Sequence, residues 1–390
     1  MVNANPESIL KTISILFLLN ILLWSACRGQ KKDTPLPADS TKTETRFKYF
    51  LGADLSYINE LETCGASYKV NGIEKDPFQL FGDKGASIAR FRLWHKPEWT
   101  QFSTLKDIKK SIRRARDRKM RILLDFHYSD TWTDPARQNI PAAWKSVKNV
   151  EILGDSLFNY TKRTLMELHH QGLLPELVQV GNEINAEILQ YSEPAVYPIN
   201  WPRNISLLNK GIKAVREVSE ETGKPIEIVL HIAQPENADP WFTGAKANGI
   251  ASFDWIGLSY YSQWSKFNLA QLGTEIEKLK LKFGKRVIVV ECGYPFTIHN
   301  GDAANNLLDT TSQLPGYLIS QNEQKRFIID LTKTVIQSGG EGVIYWEPAW
   351  ISTSCKTRWA TGSHWDNATF FDQYTKNALP VFDFLNEKNY

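Results

Sequence analysis

The sequence predicts a (β/α)8 TIM barrel, one catalytic domain over residues 47–390, and three observations carry that expectation. Eight short apolar segments recur between residues 49 and 348, separated by loops and amphipathic helical stretches. The segments carry ionisable or imidazole side chains where their apolar runs stop. No glycine-rich phosphate loop follows any of them, which disfavours the competing architecture, a doubly wound open sheet.

The strand candidates, in order, are "YFLGADL" (49–55), "ASIARFRLW" (86–94), "MRILLDFHY" (120–128) and "LVQVGNE" (177–183). Then come "IEIVLHI" (226–232), "FDWIGLSYY" (253–261), "RVIVVEC" (286–292) and "GVIYWEP" (342–348). Helical periodicity fills stretches between them, such as "STLKDIKKSIRRARDRK", "GDSLFNYTKRTLMELHHQG", "NISLLNKGIKAVREVSEETG" and "SQNEQKRFIIDLTKTVIQSGG". The second should start at its Asp-Ser pair, Asp155 and Ser156, and stop at Gly172.

Composition narrows the function. Apolar residues make up 42% of the 390 and charged residues 23%, as in a globular chain. The net charge is only +3, with no basic cluster on one helix or tail, so nucleic acid is not an expected partner. The 13 Trp, 14 Tyr and 19 Phe suit either an aromatic core or a groove that stacks sugar rings.

The first 46 residues read as an address rather than as fold. Residues 1–26 end in the apolar stretch "TISILFLLNILLWSA", of signal-peptide length and short for a membrane span. Its end, "WSAC", resembles a bacterial lipoprotein cleavage site, which implies lipidation at Cys27. Residues 27–46 are polar and aperiodic, a flexible tether. The expected location is an outer membrane or cell surface, reached through an N-terminal lipid anchor, with secretion or a periplasmic location second. The remaining cysteines, Cys64, Cys292 and Cys355, allow one disulfide in an exported protein, and spacing alone does not choose the pair.

In a barrel the reactive face lies at the C-terminal strand ends. Those ends carry Asp54, Arg92, Asp125, His127, Asn182, Glu183, His231, Tyr261, Glu291, Trp346 and Glu347. Glu183 ends the fourth strand and Glu291 the seventh, so the two can face each other across a central cleft. A carboxylate pair astride a sugar linkage is what glycoside hydrolysis needs, one donating a proton and the other attacking the anomeric carbon. Asn182 can hydrogen-bond a sugar hydroxyl, and Arg92 and Tyr261 can donate to Glu291. His127 and His231 fit either sugar hydroxyls or neutral, internally satisfied roles. Trp346 offers a stacking floor. In "SDTWTDP", Trp132 is expected to pack or stack and Asp130 to be structural.

The stretches "GADLSYINELE", "RFRLWHKP", "LLDFHYSDTWTDPARQNIPAAW", "VGNEINAEIL", "VIVVECGYPF" and "YWEPAWI" resemble glycoside hydrolase family 53, the endo-β-1,4-galactanases, over residues 47–388. That resemblance implies Glu183 as acid/base, Glu291 as nucleophile, and supporting roles for Asp54, Arg92, His127, Asn182, His231, Tyr261 and Trp346. It implies galactan and its oligosaccharides as partners, a monomer, and no required cofactor. Some bacterial members bind a structural calcium. Asp302, Asn305, Asn306 and Asp309 in "HNGDAANNLLD" are candidate ligands for one, the competing reading being an ordinary polar loop. Where family members show "HLDNG" after the fifth strand, this chain has "HIAQPEN". The alternative functions are a barrel β-glycanase for another backbone and a non-catalytic glycan-binding surface protein.

Overall fold

A computed structural model describes residues 47–358 and 360–390. The signal segment, Cys27 and the tether lie outside the described residues. Eight parallel strands close into a barrel in chain order: β1 (Phe50–Asp54), β2 (Ile88–Leu93), β3 (Arg121–Phe126), β4 (Leu177–Val180), β5 (Glu227–Ala233), β6 (Trp255–Tyr260), β7 (Arg286–Cys292) and β8 (Gly342–Tyr345). Closure is made where β1 pairs with β8 and with β2. All eight predicted segments are therefore strands, trimmed by a few residues at their ends.

The helices are α1 (Ile58–Thr63), α2 (Pro77–Asp83), α3 (Leu105–Arg116), α4 (Val150–His170), α5 (Trp201–Thr222), α6 (Ala238–Ala247), α7 (Leu269–Phe283) and α8 (Gln321–Gln337). Their ends follow local chemistry. Thr104 caps α3 by accepting from Asp107 N, and Asn268 and Gln271 form a reciprocal capping box at α7. Helix α4 starts five residues before the expected Asp-Ser pair, because Asn149 accepts from Ile152 N and caps it first. After β8 the chain makes a 3-10 helix, Pro380–Leu385, which packs against α8 and β1.

Two apolar layers result. One fills the space between barrel and helices. The other fills the lower barrel: Phe50, Ile88, Leu123, Leu177, Val229, Trp255, Ile288, Val290 and Ile344. Side chains alternate along a strand, so the residue two further on points into the same interior, one layer higher. From Ile88 that gives Arg90 and Arg92; from Leu123, Asp125 and His127; from Val229, His231; from Ile344, Trp346. The polar layer is stacked on the apolar one by period two. Strand β7 breaks the rule. Leu258 of β6 pairs with Val289, but Ser259 pairs with Glu291, so Val290 is bulged out of register. Val290 and Glu291 therefore both face inward, and the glutamate enters the polar layer.

Candidate active site

The polar layer opens into a cleft of about 900 Å³ at the C-terminal face. Glu183 and Glu291 line it, with Asn182, Tyr261, Trp132 and Trp346. Trp264, Trp350 and Trp365 extend an aromatic wall along one side, while Asp134, Arg137 and Glu193 form a polar rim. The Trp346 ring stands perpendicular to Trp365 at 4.8 Å and tilts toward Trp132 at 5.8 Å. Gly293 keeps the wall close, since a Cβ there would come within 2.3 Å of the Trp365 ring. Gln234 and Asn237 of the "AQPEN" stretch also line the cleft.

Beneath the cleft sits Arg90, which sequence reasoning overlooked. It pairs with Asp54 at 2.8 Å, Asp125 at 2.7 Å and Glu291 at 2.8 Å, and donates to Asn182 Oδ1 at 2.8 Å and to Gln179 Oε1 at 3.3 Å. The expectation that Arg92 serves Glu291 is corrected. Arg92 lies one layer higher, pairs with Glu347 at 2.9 Å, and lies over the ring of Trp132 at 3.9 Å and of Tyr57 at 4.7 Å. Both arginines share an inward face, and only the deeper one reaches the barrel axis. The signal available in the sequence was an arginine in the middle of a strand buried on both faces, which demands carboxylate partners. The other donor expected for Glu291 is in place: Tyr261 O–H donates to its Oε2 at 3.0 Å.

Four residues expected to touch substrate lie under the cleft instead. Asp54 is fully buried against Arg90 and accepts from the Ser56 hydroxyl. Arg92 is held as described. His127 donates through Nε2 to Asp125 at 3.0 Å and accepts from Thr133 N at 3.1 Å, the internally satisfied arrangement. His231 is enclosed by Gln179, Asn182 and Ser259. All four sit at inward positions at the strand ends, below the rim, so their polar atoms are engaged by other buried side chains and backbone groups. Asn182 belongs to both levels. Its Nδ2 donates to Thr133 O at 2.7 Å, which uses one of its two N–H groups, and it lines the cleft.

Burial governs the protonation of this cluster. It pushes Glu183 well above the usual carboxylate range, and the charge of Glu291 adds to that. Burial raises Glu291 to about 7, against the opposing pull of Arg90. Two close carboxylates with raised affinity share a proton. Only Glu291 has a cation at 2.8 Å, so the proton rests on Glu183. Burial and the nearby Arg90 keep His231 well below its usual range, hence neutral. Glu183 itself adopts a left-handed backbone, φ 43°, a conformation that costs a side-chain-bearing residue about 1–3 kcal/mol and concentrates at functional positions.

The suspected metal loop is engaged otherwise. Asp302 accepts from Ala304 N and Ser363 N, Asp309 from Thr311 N, and the Asn305 side chain from Asn300. Asn306 donates to Asp366. Among the described residues no group of three or more His, Cys, Asp or Glu is placed to hold a metal ion. Asp130 is structural as expected, accepting from Lys96 N and Ala142 N. Cys64 and Cys355 form a disulfide, and Cys292 is free and buried.

A closed (β/α)8 barrel with an acidic pair of unequal protonation in an aromatic cleft defines a glycoside hydrolase. The sequence model for glycosyl hydrolase family 53 matches residues 50–385. The chain belongs to that family. It is 54% identical to an arabinogalactan endo-β-1,4-galactanase of Cellvibrio japonicus over 339 residues, 86% of this chain and 90% of that one. It is 32% identical to an endo-β-1,4-galactanase of Bacillus subtilis, covering 90% of this chain and 86% of that one. Among solved structures, a catalytic domain of the same family from Ignisphaera aggregans superposes with a TM-score of 0.78 at 28% identity, covering 87% of this chain and 96% of that one.

Proposed function

We propose that the protein hydrolyses internal β-1,4-galactosidic bonds of pectic galactan, type I arabinogalactan, with retention of configuration, releasing galacto-oligosaccharides. The observation that carries the chemistry is the unequal pair: Arg90 and Tyr261 hold the Glu291 carboxylate, while burial and the charge of Glu291 favour the protonated form of Glu183. The likeness to the Cellvibrio enzyme supports the choice of substrate. Glu291 attacks the anomeric carbon, and the glycosidic bond breaks as Glu183 gives its proton to the leaving oxygen. Glu183 then takes a proton from water, which displaces Glu291 and regenerates both groups. Trp346 floors the subsite where the ring distorts, and Asn182 holds a neighbouring hydroxyl.

The test is product profiling on linear β-1,4-galactan beside mannan, xylan and cellulose, with the anomer of the first product read by NMR. Cleavage of galactan alone, giving the β-anomer first, is expected. Preference for another backbone overturns the substrate, and an α-anomer overturns retention. Glu183→Gln and Glu291→Gln should each lower turnover by orders of magnitude while the protein stays folded.

We further propose that the enzyme works as a monomer at the cell surface, held by a lipid on Cys27 through residues 28–46. The disulfide supports export, since such bonds persist in oxidising compartments. A Cys27→Ser protein that stays in the membrane fraction overturns the anchor.

A further inference from the structure

Buried deeper than the cleft, a serine and a histidine attend Glu183 without reaching substrate. The Ser259 hydroxyl donates to Glu183 Oε1 at 2.6 Å, and Ser259 Oγ lies 2.8 Å from His231 Nε2. Both residues are fully buried. A serine hydroxyl has one hydrogen, so its direction is set by what else faces its oxygen. The backbone N–H of Glu183 donates to the opposite nitrogen of the ring, Nδ1, at 3.3 Å, while Gln179 Nε2, 3.1 Å from Nδ1, spends its two hydrogens on Asp125 Oδ1 and Asn182 Oδ1. Asn182 Oδ1, 3.0 Å from Nδ1, already accepts from Arg90 and Gln179. Nδ1 is therefore the acceptor and the ring proton sits on Nε2, a tautomer assigned from the hydrogen-bond network. His231 then donates to Ser259, and Ser259 must spend its hydrogen on Glu183. Among the described residues no hydrogen-bond donor is placed on the other oxygen of Glu183, Oε2.

We propose that Ser259, backed by His231, dictates which oxygen of Glu183 carries the catalytic proton. Oε1 is kept as an acceptor, and Oε2 is the atom that protonates the departing sugar and later deprotonates water. This rests on the acid/base reading of Glu183. As the glycosidic bond breaks, its electron pair stays on the leaving oxygen, which takes the proton from Oε2, while Glu291 bonds to the anomeric carbon. Glu183 becomes a carboxylate, and the Ser259 bond strengthens because its acceptor is now charged. In the second step the water oxygen bonds to the anomeric carbon, its proton passes to Oε2, and the bond to Glu291 breaks with its electrons returning to that carboxylate. The relay itself transfers no proton. Ser259 and His231 are positioning residues, and the left-handed backbone at Glu183 is part of the same fixture, because it points the Glu183 N–H at His231 Nδ1.

The charged and titratable groups facing Glu183 come from several elements: Glu291 on β7, Arg90 on β2, Asp134 after β3, and His231 on β5. Ser259→Ala removes the hydrogen bond to Glu183 and the one accepted from His231 but leaves these four groups in place, so the change in profile can be read against that background.

The experiment compares Ser259→Ala, Ser259→Thr and the parent enzyme on galactan and on a dinitrophenyl β-galactoside, whose leaving group needs no proton. Ser259→Ala should lower kcat/KM on galactan about 10- to 100-fold, within the range of general acid catalysis. The ratio of galactan to dinitrophenyl activity should fall by at least about tenfold. The alkaline limb of the pH profile should move to higher pH, because a bond favouring the charged form of Glu183 is gone. Ser259→Thr, which keeps the hydroxyl, should restore the ratio. Equal losses on both substrates with an unmoved alkaline limb overturn the proposal, as does a Ser259→Ala enzyme of parental ratio. If Ser259→Thr does not fold, the limb and ratio of Ser259→Ala still decide. Glu183→Ala with added azide tests the underlying reading separately. Azide rescue on the dinitrophenyl substrate, giving a β-galactosyl azide, upholds Glu183 as acid/base even where the Ser259 proposal fails. Absence of rescue removes the reading itself.

Discussion

Exchanging Arg90 for lysine keeps the charge and removes the fork, which makes it a sharp test of how the nucleophile is kept ionised. Arg90 spreads its contacts over Asp54, Asp125, Glu291, Asn182 and Gln179, all buried. An ammonium has three donors on one atom and cannot span that set. At least two contacts lapse, and a hydrogen bond involving a charged group is worth about 1.5–3 kcal/mol. The loss in Arg90→Lys is therefore about 3 kcal/mol or more, which for a large domain lowers the melting temperature by about 6–12 °C. The catalytic consequence has a definite sign. Arg90 holds Glu291 down while burial pushes it up. Weakening that pair raises the pKa of the group that must be ionised, so the acid limb of kcat/KM moves to higher pH, by about one unit for each 1.36 kcal/mol of lost pairing. Arg92→Lys is the control. It disturbs Glu347 and the ring of Trp132, and should cost stability while leaving the acid limb in place. The assay is thermal melting together with pH profiles on soluble galactan for both variants. An Arg90→Lys enzyme with the parental melting temperature and acid limb refutes the reasoning, and so does an Arg92→Lys enzyme whose limb moves as far.

Trp346→Ala should lose more in kcat than in KM on galactan, because its ring both floors the cleft and packs on Trp365. A mutant that melts lower but turns over at the parental rate while folded rejects the subsite role. The Cys64–Cys355 bond closes a loop of 291 residues and pins the segment after β8 that carries Trp365. Reduction or a double Ser substitution should cost about 2–5 kcal/mol in melting experiments and raise KM for galactan. Glu183→Gln should melt above the parent, with a gap that widens as pH rises from 5 to 8. A carboxyl whose folded pKa is raised stabilises below its unfolded pKa and loses that contribution as pH climbs through the folded one. A gap that shrinks over that range would count against a protonated Glu183.

The barrel was legible because both of its signals are periodic. The apolar runs and their polar ends could be read residue by residue, and Glu183, Glu291, Asn182, Tyr261, Trp132 and Trp346 all came to the cleft. Depth was not legible. Arg90 and Arg92 share parity on β2, and nothing in "ARFRLW" says which reaches the axis. His127 and His231 look like sugar ligands from their place at strand ends, yet His127 is engaged by Asp125 and Thr133 close by in the chain, and His231 by neighbours from other strands that the chain does not announce. Ser259 escaped notice because a serine inside "GLSYY" carries no charge and only the partner across the barrel makes it matter. The partner of Cys64 likewise lies 291 positions away, set by the fold rather than by spacing.

The irregularity at Val290 has a consequence for how this strand tolerates change. A regular strand has parity: odd positions face one way and even positions the other, so an inserted or deleted residue reverses everything beyond it. Strand β7 already contains one reversal, placed immediately before Glu291. Deleting Val290 would therefore not damage a regular strand. It would restore regularity: the glutamate would follow Val289 directly, still opposite Ser259 and still facing inward, while the lower apolar layer would lose the Val290 side chain. The address of Glu291 is written in β6, which supplies the mismatched partner, as much as in its own strand. Alignments that preserve "VVEC" but lose the slipped pairing at Leu258 and Ser259 would retain the letter of the motif and lose its direction.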